Sequence, residues 1–307
     1  MNACLASTAR PAGHLLLRLS CLAVSLFAAY AALAEDVIAD EAESEAATAH
    51  DHSEGLAGRL SFHAFADVET AYICRGAIYD TRPFSAQYAA LEADLGPFGV
   101  VEPSIWTYSA MSSSGQSSSL TRYAYAEADY LLRYYYDIDF AEGWRLRNGV
   151  GKQWVTNPGF RGGRTVVDWQ ALQVLQTPWL TPYWRLRVIR RPFQELFWVV
   201  GLKRSFPLMD DLSLTLDLSG DLGDNSHYVN LYGPRGGVDG ARYTGGLKDL
   251  MFVARLDYAL VDHVSLFAFV GQFCLVSSDA RDAIGSLSGP ESRRDITFGG
   301  AGVAIDF

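Results

Sequence analysis

The chain has 307 residues, 49% of them hydrophobic and 13% aromatic, with a formal net charge of −10. A chain this acidic offers no field for a phosphate backbone, so no nucleic-acid partner is expected. The acidity is concentrated near the start: setting residues 1–34 aside leaves 23 bases against 35 acids, and setting aside the eight acids of residues 35–55 leaves 27 acids against 23 bases.

Residues 1–34 hold Arg10 and Arg18, no acid, and the apolar run LSCLAVSLFAAYAALA, which ends in Ala32-Leu33-Ala34. A basic start, a short apolar stretch and an A-x-A end predict a cleaved secretory signal peptide, with cleavage after Ala34. The run falls short of the ~20 residues that a spanning helix needs. A lipoprotein would use Cys21, but here the apolar region follows that cysteine instead of preceding it. Residues 35–55, EDVIADEAESEAATAHDHSEG, contain no base and no aromatic. Such a composition buries too little apolar surface to offset chain entropy, so an acidic flexible periplasmic tail is expected. His50-Asp51-His52 has transition-metal donors, yet an unstructured triplet among acids is ordinarily solvated, and neither metal nor cofactor is expected.

Residues 56–307 read as a succession of strands. A first strand is expected over about 60 to 74. In LTRYAYAEADYLLRYYYDIDF the even positions from Ala124 to Phe140 are apolar or aromatic, while Glu127, Asp129, Arg133, Asp137 and Asp139 fall on the odd ones. Leu196, Trp198, Val200, Leu202 and Phe206 share one parity in LFWVVGLKRSF. Leu212, Leu214, Leu216 and Leu218 oppose Ser213, Thr215, Asp217 and Ser219, and Leu250 to Leu260 oppose Asp249, Arg255 and Asp257. Period-two alternation is the signature of an extended strand with two different surroundings. Such strands suit a tilted membrane crossing of ~9–11 residues.

The joins alternate in length. RGAIYDTRPF, MSSSGQSSSL, TNPGFRGGR, RRPFQE, residues 221 to 246 and SSDARDAIGSLSGPESRR are the longer ones; LGPFG, FAEGW, WLTP, FPLMDD and LVDH fall between them. Six longer and five short joins make twelve strands, with both chain ends on the short-turn side. The fold class expected is all-β: a transmembrane antiparallel up-and-down β-barrel of about 12 strands over residues 56–307, with short periplasmic turns and longer extracellular loops. A soluble sandwich or propeller also alternates and is the competing reading. Leu212 to Leu218 are expected to face lipid, and Trp144, Trp154, Trp179, Trp184 and Trp198, at or near strand ends, to mark the membrane interfaces. On this map Cys74 and Cys274 are two strand spacings apart, too far for a disulfide, so both are expected to be free.

The chain closes with FGGAGVAIDF, where Ala301, Val303, Ile305 and Phe307 share a face. A final strand of this pattern with a terminal Phe resembles the recognition signal of Gram-negative outer-membrane β-barrels, and the resemblance extends to the leader and the strand-and-loop rhythm. It implies an outer-membrane location, contact with lipid and lipopolysaccharide, and recognition by the barrel-assembly machinery through Phe307. Around the first hairpin, TAYICRGAIYDTRP resembles the Tyr-x-x-Arg-Gly segment of some small bacterial porins; it implies a passive channel, with Arg75 at the lumen mouth. Porins often trimerise, so a homo-oligomer is compatible with this resemblance.

If the apolar parity faces out, the expected pore-lining side chains are Asp67, Glu69, Arg75, Glu127, Asp129, Arg133, Arg145, Arg147, Arg185, Arg187, Asp217, Arg255 and Asp257, with Lys203 beside them. A wall carrying both signs fits an outer-membrane porin-like channel for passive diffusion of small polar solutes or ions. Centring the turn after Phe140 also sets Asp139 opposite Arg145 and Asp137 opposite Arg147, pairs that would neutralise the wall of a closed, non-conducting structural scaffold. The third class is a lipid-modifying enzyme or hydrolase, for which Asp221, Asp224, Asn225, Ser226 and His227 are the candidate groups. Adjacent residues in one loop do not make a converging triad, so no enzyme is expected. His63 should face inward near the periplasmic end, on the face of Asp67, and His263 should occupy a turn.

Overall fold

The computed structural model describes residues 59–74, 77–111, 126–156, 166–191, 195–223, 246–285 and 293–307. In chain order the elements are β1 (Leu60–Glu69), the short strands β2 (Tyr72–Cys74) and β3 (Ala77–Asp80), then β4 (Phe84–Asp94) and β5 (Val100–Ala110). They continue with β6 (Ala126–Ala141), β7 (Trp144–Thr156), β8 (Val166–Gln176), β9 (Thr181–Arg191), β10 (Glu195–Met209) and β11 (Leu212–Gly223). The last are β12 (Gly246–Val261), β13 (Val264–Leu275), the helix α1 (Ser278–Gly285) and β14 (Asp295–Asp306). All but β2 and β3 form a single closed antiparallel barrel of twelve strands in sequence order, with β14 paired back onto β1. No helix among the described residues is long and apolar enough to cross a membrane.

Alternation decides which way each strand faces. On β6, Glu127, Asp129, Leu131, Arg133 and Tyr135 are buried, while Tyr130, Leu132, Tyr134, Tyr136 and Ile138 are exposed. The same parity governs β10, where Phe197, Val199 and Lys203 are buried and Leu196, Trp198, Val200 and Leu202 are exposed. On β11, Asp217 and Ser219 are buried and Leu218 is exposed. An apolar exterior with a polar and aromatic interior is the arrangement of a barrel in lipid, because water can reach only the inside.

Closure depends on the pairing of the two ends. Phe62 and Phe307 exchange backbone hydrogen bonds of 2.8 and 2.9 Å, and the ring of Phe307 stacks on His263 at 5.0 Å. At the other end of β1, the Thr70 N–H donates to the Gly299 carbonyl and the Gly299 N–H to Thr70 Oγ1, each at 2.9 Å. There the barrel strand stops. The expected first strand of 60 to 74 is therefore too long: Thr70 ends it, and residues 71–74 turn inward as one arm of the β2–β3 hairpin. The cause is apolar burial, since Ala71, Tyr72, Ile73 and Ile78 belong to the hydrophobic cluster of the barrel interior.

Side-chain length across the interior is balanced by glycine. Tyr183 of β9 lies across Gly201 of β10 and donates a 2.9 Å hydrogen bond to Asp217 of β11. At the seam, Phe267 covers Gly302, where a Cβ would stand 2.6 Å from the ring. In each case a Cβ would collide with the aromatic ring, so the missing side chain makes room for it.

Of the two body cysteines, Cys274 is free and on the outward parity of β13, as expected of a lipid-facing thiol; the side chain of Cys74 lies outside the described residues. Replacing Gly201 by Val should displace Tyr183 from the wall and break its bond to Asp217. The overpacking should cost about 1–3 kcal/mol, read as an earlier midpoint in urea unfolding of the folded barrel in detergent or vesicles.

Candidate functional site: the barrel interior

The interior changes character along the axis. Toward the end carrying the long connections, Phe84, Tyr108, Val155, Val166, Ile189, Phe197, Val199, Met251, Phe273 and Phe298 form one buried apolar cluster. The β2–β3 hairpin belongs to it: Tyr72 packs against Phe84 at 5.6 Å and Tyr108 at 5.0 Å, and its hydroxyl donates to Glu127 Oε1 at 3.2 Å. Ala280 of α1 joins the same cluster from the β13–β14 connection. That connection is anchored where Val276 and Ser277 donate backbone N–H groups to the Lys248 carbonyl. The hairpin segment thus contributes Ala71, Tyr72, Ile73 and Ile78 to this apolar cluster, and α1 contributes Ala280.

Charges within the filled zone are buried in pairs. A bulge makes Lys248 the extra residue of β12 opposite Asp221 and Leu222, so that Lys248 and Asp249 both point inward. The Lys248 ammonium stands 3.2 Å from Asp221 and 3.6 Å from Asp249, all three fully buried. Arg187 donates through Nε to Asp168 at 2.6 Å and also reaches Gln153, which in turn donates to Asp129 at 2.7 Å. Glu102, three residues into β5 from the short β4–β5 turn, is fully buried as well: Tyr88 donates to it at 3.1 Å, Arg133 at 3.1 Å and Tyr135 at 3.2 Å. A carboxylate away from water is tolerated only with such a set of donors.

Toward the short-turn end the wall opens. Arg147 forks onto Asp137 with two 3.0 Å bonds, Arg145 donates to Asp139 at 2.7 Å, and Arg255 pairs with Asp257 at 2.7 Å. The register sets Asp139 opposite Arg145 and Asp137 opposite Arg147, the pairs expected from centring the turn. Asp139, Arg145 and Asp257 are wetter than the pairs of the filled zone, at 65%, 30% and 26% exposed against 0% for Lys248 and Asp221, while Arg147 and Arg255 are buried.

Asp67, Glu69, Glu127, Asp129, Arg133, Arg147, Arg185, Arg187, Asp217 and Arg255 are all buried on the inward parity; Arg145 and Asp257 share that parity near the short-turn end. Arg75 lies outside the described residues, as do Asp224, Asn225, Ser226 and His227. Of the proposed enzyme cluster only Asp221 is described, held by Lys248. His63 is inward as expected, but its described hydrogen bond is to Asp306 at 3.0 Å; His263 sits in the β12–β13 turn with a positive φ of 67°.

Sequence reasoning did not single out Glu102, Asp168, Gln153 or Lys248. Glu102 and Asp168 lie on strands whose inward face is also aromatic or aliphatic, and Lys248 was hidden by the bulge. The tryptophans divide in the same way. Trp144 packs between Phe140 at 6.1 Å and Trp179 at 5.8 Å, forming a belt at the short-turn end. Trp184 and Trp198 lie beside each other at 5.3 Å, and Trp184 donates to Gln173 at 3.0 Å. The register brings the start of β9 alongside β10 there, pairing Leu186 with Trp198 and Trp184 with Val200.

Comparison of the sequence with protein-family models and with curated proteins gives no match. Among solved structures, the COG4313 outer membrane channel from Pseudomonas putida F1 is similar with a TM-score of 0.51 and 13% identity, over 81% of this chain and 95% of that one. The NanC porin follows with a TM-score of 0.46 and 10% identity, over 80% and 98% of the two chains. The KdgM porin in complex with disordered oligogalacturonate has a TM-score of 0.43 and 10% identity, over 80% and 99%. The first likeness is one of architecture, and with the apolar exterior and the closed twelve-strand order it gives the chain the fold of an outer-membrane β-barrel.

Proposed function

We propose that this chain is an outer-membrane channel for small polar solutes or ions, gated at its outer end by the β2–β3 hairpin. The observation that carries the reading is the contrast along the interior: partly exposed charge pairs of both signs toward the short turns, and an apolar cluster joined by the hairpin toward the long connections. A leader for export, short turns in the periplasm and long loops outside set the direction of this arrangement. The hairpin is the movable part, because it is not hydrogen-bonded into the barrel sheet and pairs only with itself. Tyr72 of the hairpin donates a hydrogen bond to Glu127 of the wall.

A passive channel needs no converging nucleophile and base, and the described interior offers carboxylates held by arginine, lysine and tyrosine instead. The reading is therefore of a transporter and not of an enzyme. A second reading, a non-conducting scaffold, is favoured by the complete burial of Lys248, Asp221 and Glu102. The two are separated by what the hairpin does.

Replacing residues 71–81 by a short Gly-Ser linker should raise single-channel conductance in a planar bilayer several-fold over the intact chain. Silence from both proteins, each shown to be folded and inserted, would establish the scaffold. In the hairpin-deleted protein, Glu102→Gln removes a negative charge beside Arg133, so the reversal potential under a salt gradient should move toward anion preference. An unchanged reversal potential would place Glu102 outside the conducting path.

A further inference from the structure

The outward surface of β6, β7 and β8 is apolar or neutral at every described position except one. Lys152 of β7 faces out between Leu132 and Trp169, its register partners on β6 and β8. Its ammonium lies 4.6 Å from the ring centre of Trp154 and 5.0 Å from that of Trp169. No carboxylate occurs on the outward parity of these three strands, so the cation has no acid within its own face. Trp154 and Trp169 contribute no described hydrogen bond through their indole N–H groups, and Trp169 is 49% exposed.

We propose that Lys152, Trp154 and Trp169 form a binding site for the phosphate of an anionic lipid in the outer leaflet. The level is suitable. Trp154 stands two positions from the end of β7 and pairs across with Tyr130, itself outward and exposed, while Trp169 lies near the start of β8. Aromatic side chains gather at the depth of the lipid headgroups. The chemistry is suitable too. Two indole faces hold an ammonium in place through their quadrupoles while leaving its N–H donors directed outward. A phosphate oxygen then gains charge-assisted hydrogen bonds, with the indole N–H groups as further donors. A lysine that only extended its stem along the wall toward water would need neither ring.

The test is native mass spectrometry of the folded full chain in detergent, titrated separately with bis-phosphorylated lipid A, phosphatidylglycerol and phosphatidylcholine. Folding is confirmed for every variant by its heat-modifiable mobility on a gel. The intact chain should retain lipid A about tenfold more strongly than phosphatidylcholine. Lys152→Met, which keeps the apolar stem, should abolish that preference, Lys152→Arg should preserve it, and Trp169→Leu should weaken it. Equal lipid A retention by the folded Lys152→Met variant and the intact chain would overturn the proposal. Displacement of lipid A by millimolar inorganic phosphate would also overturn it, by pointing to a site for free phosphate.

Discussion

Hydrocarbon offers the backbone no hydrogen-bond partner, and that constraint governs the rest of this molecule. A sheet can lie in lipid only if it has no free edge, so the first strand must find the last. Here β1 and β14 meet in register from His63 with Asp306 to Glu69 with Gly300. Every other strand then has two neighbours, its two faces have fixed destinations, and a shift of one residue would exchange them. The seam glycines serve this closure: at Gly300 and Gly302 the inward space is taken by Phe269 and Phe267, allowing β14 to lie close against β1.

Once lipid has claimed one face, the other is free to be anything that fills the interior. In this chain a hydrophobic core occupies the interior toward the long loops and continues through Phe65, Phe267 and Phe269, while the partly exposed charge pairs gather toward the short turns. The hairpin after Thr70 follows from the first choice. Its apolar side chains have nowhere else to be buried, and the apolar wall would otherwise face water. Carboxylates buried in the interior impose a cost that only dense pairing offsets, which is why the fully buried Glu102 collects Arg133, Tyr88 and Tyr135 while the exposed Asp139 is held by Arg145. Buried ion pairs are no more stable than well-packed apolar substitutes.

This two-zone interior also explains what was legible in the sequence. Strand number, turn positions and the facing pairs Asp139–Arg145 and Asp137–Arg147 were readable, because tight turns fix register and β6 alternates apolar outside with charged inside. The rule fails where the interior is itself apolar. Trp106 and Tyr108 are inward on β5 and Phe197 and Val199 are inward on β10, so hydrophobicity there no longer distinguishes the faces. For the same reason the run of apolar residues past Thr70 looked like more barrel strand when it was a hairpin folding inside. Lys248 escaped notice because an extra residue in one strand inverts parity locally, a change that alternation alone cannot reveal. Trp169 was missed as an exterior ring because it lies within a strand, away from the turn signals used to find the belts.

Twelve strands set the circumference of the wall, but side-chain length sets how much of the enclosed space remains. Tyr183 reaching over Gly201 to Asp217, and Phe267 lying over Gly302, show large rings admitted wherever the neighbouring strand offers no Cβ. A barrel of the same strand number can therefore be open or filled without altering a single backbone hydrogen bond. Likeness of fold to a known channel consequently carries little information about passage. What fills the lumen is the set of groups inside, among them the apolar side chains of the β2–β3 hairpin packed against the wall.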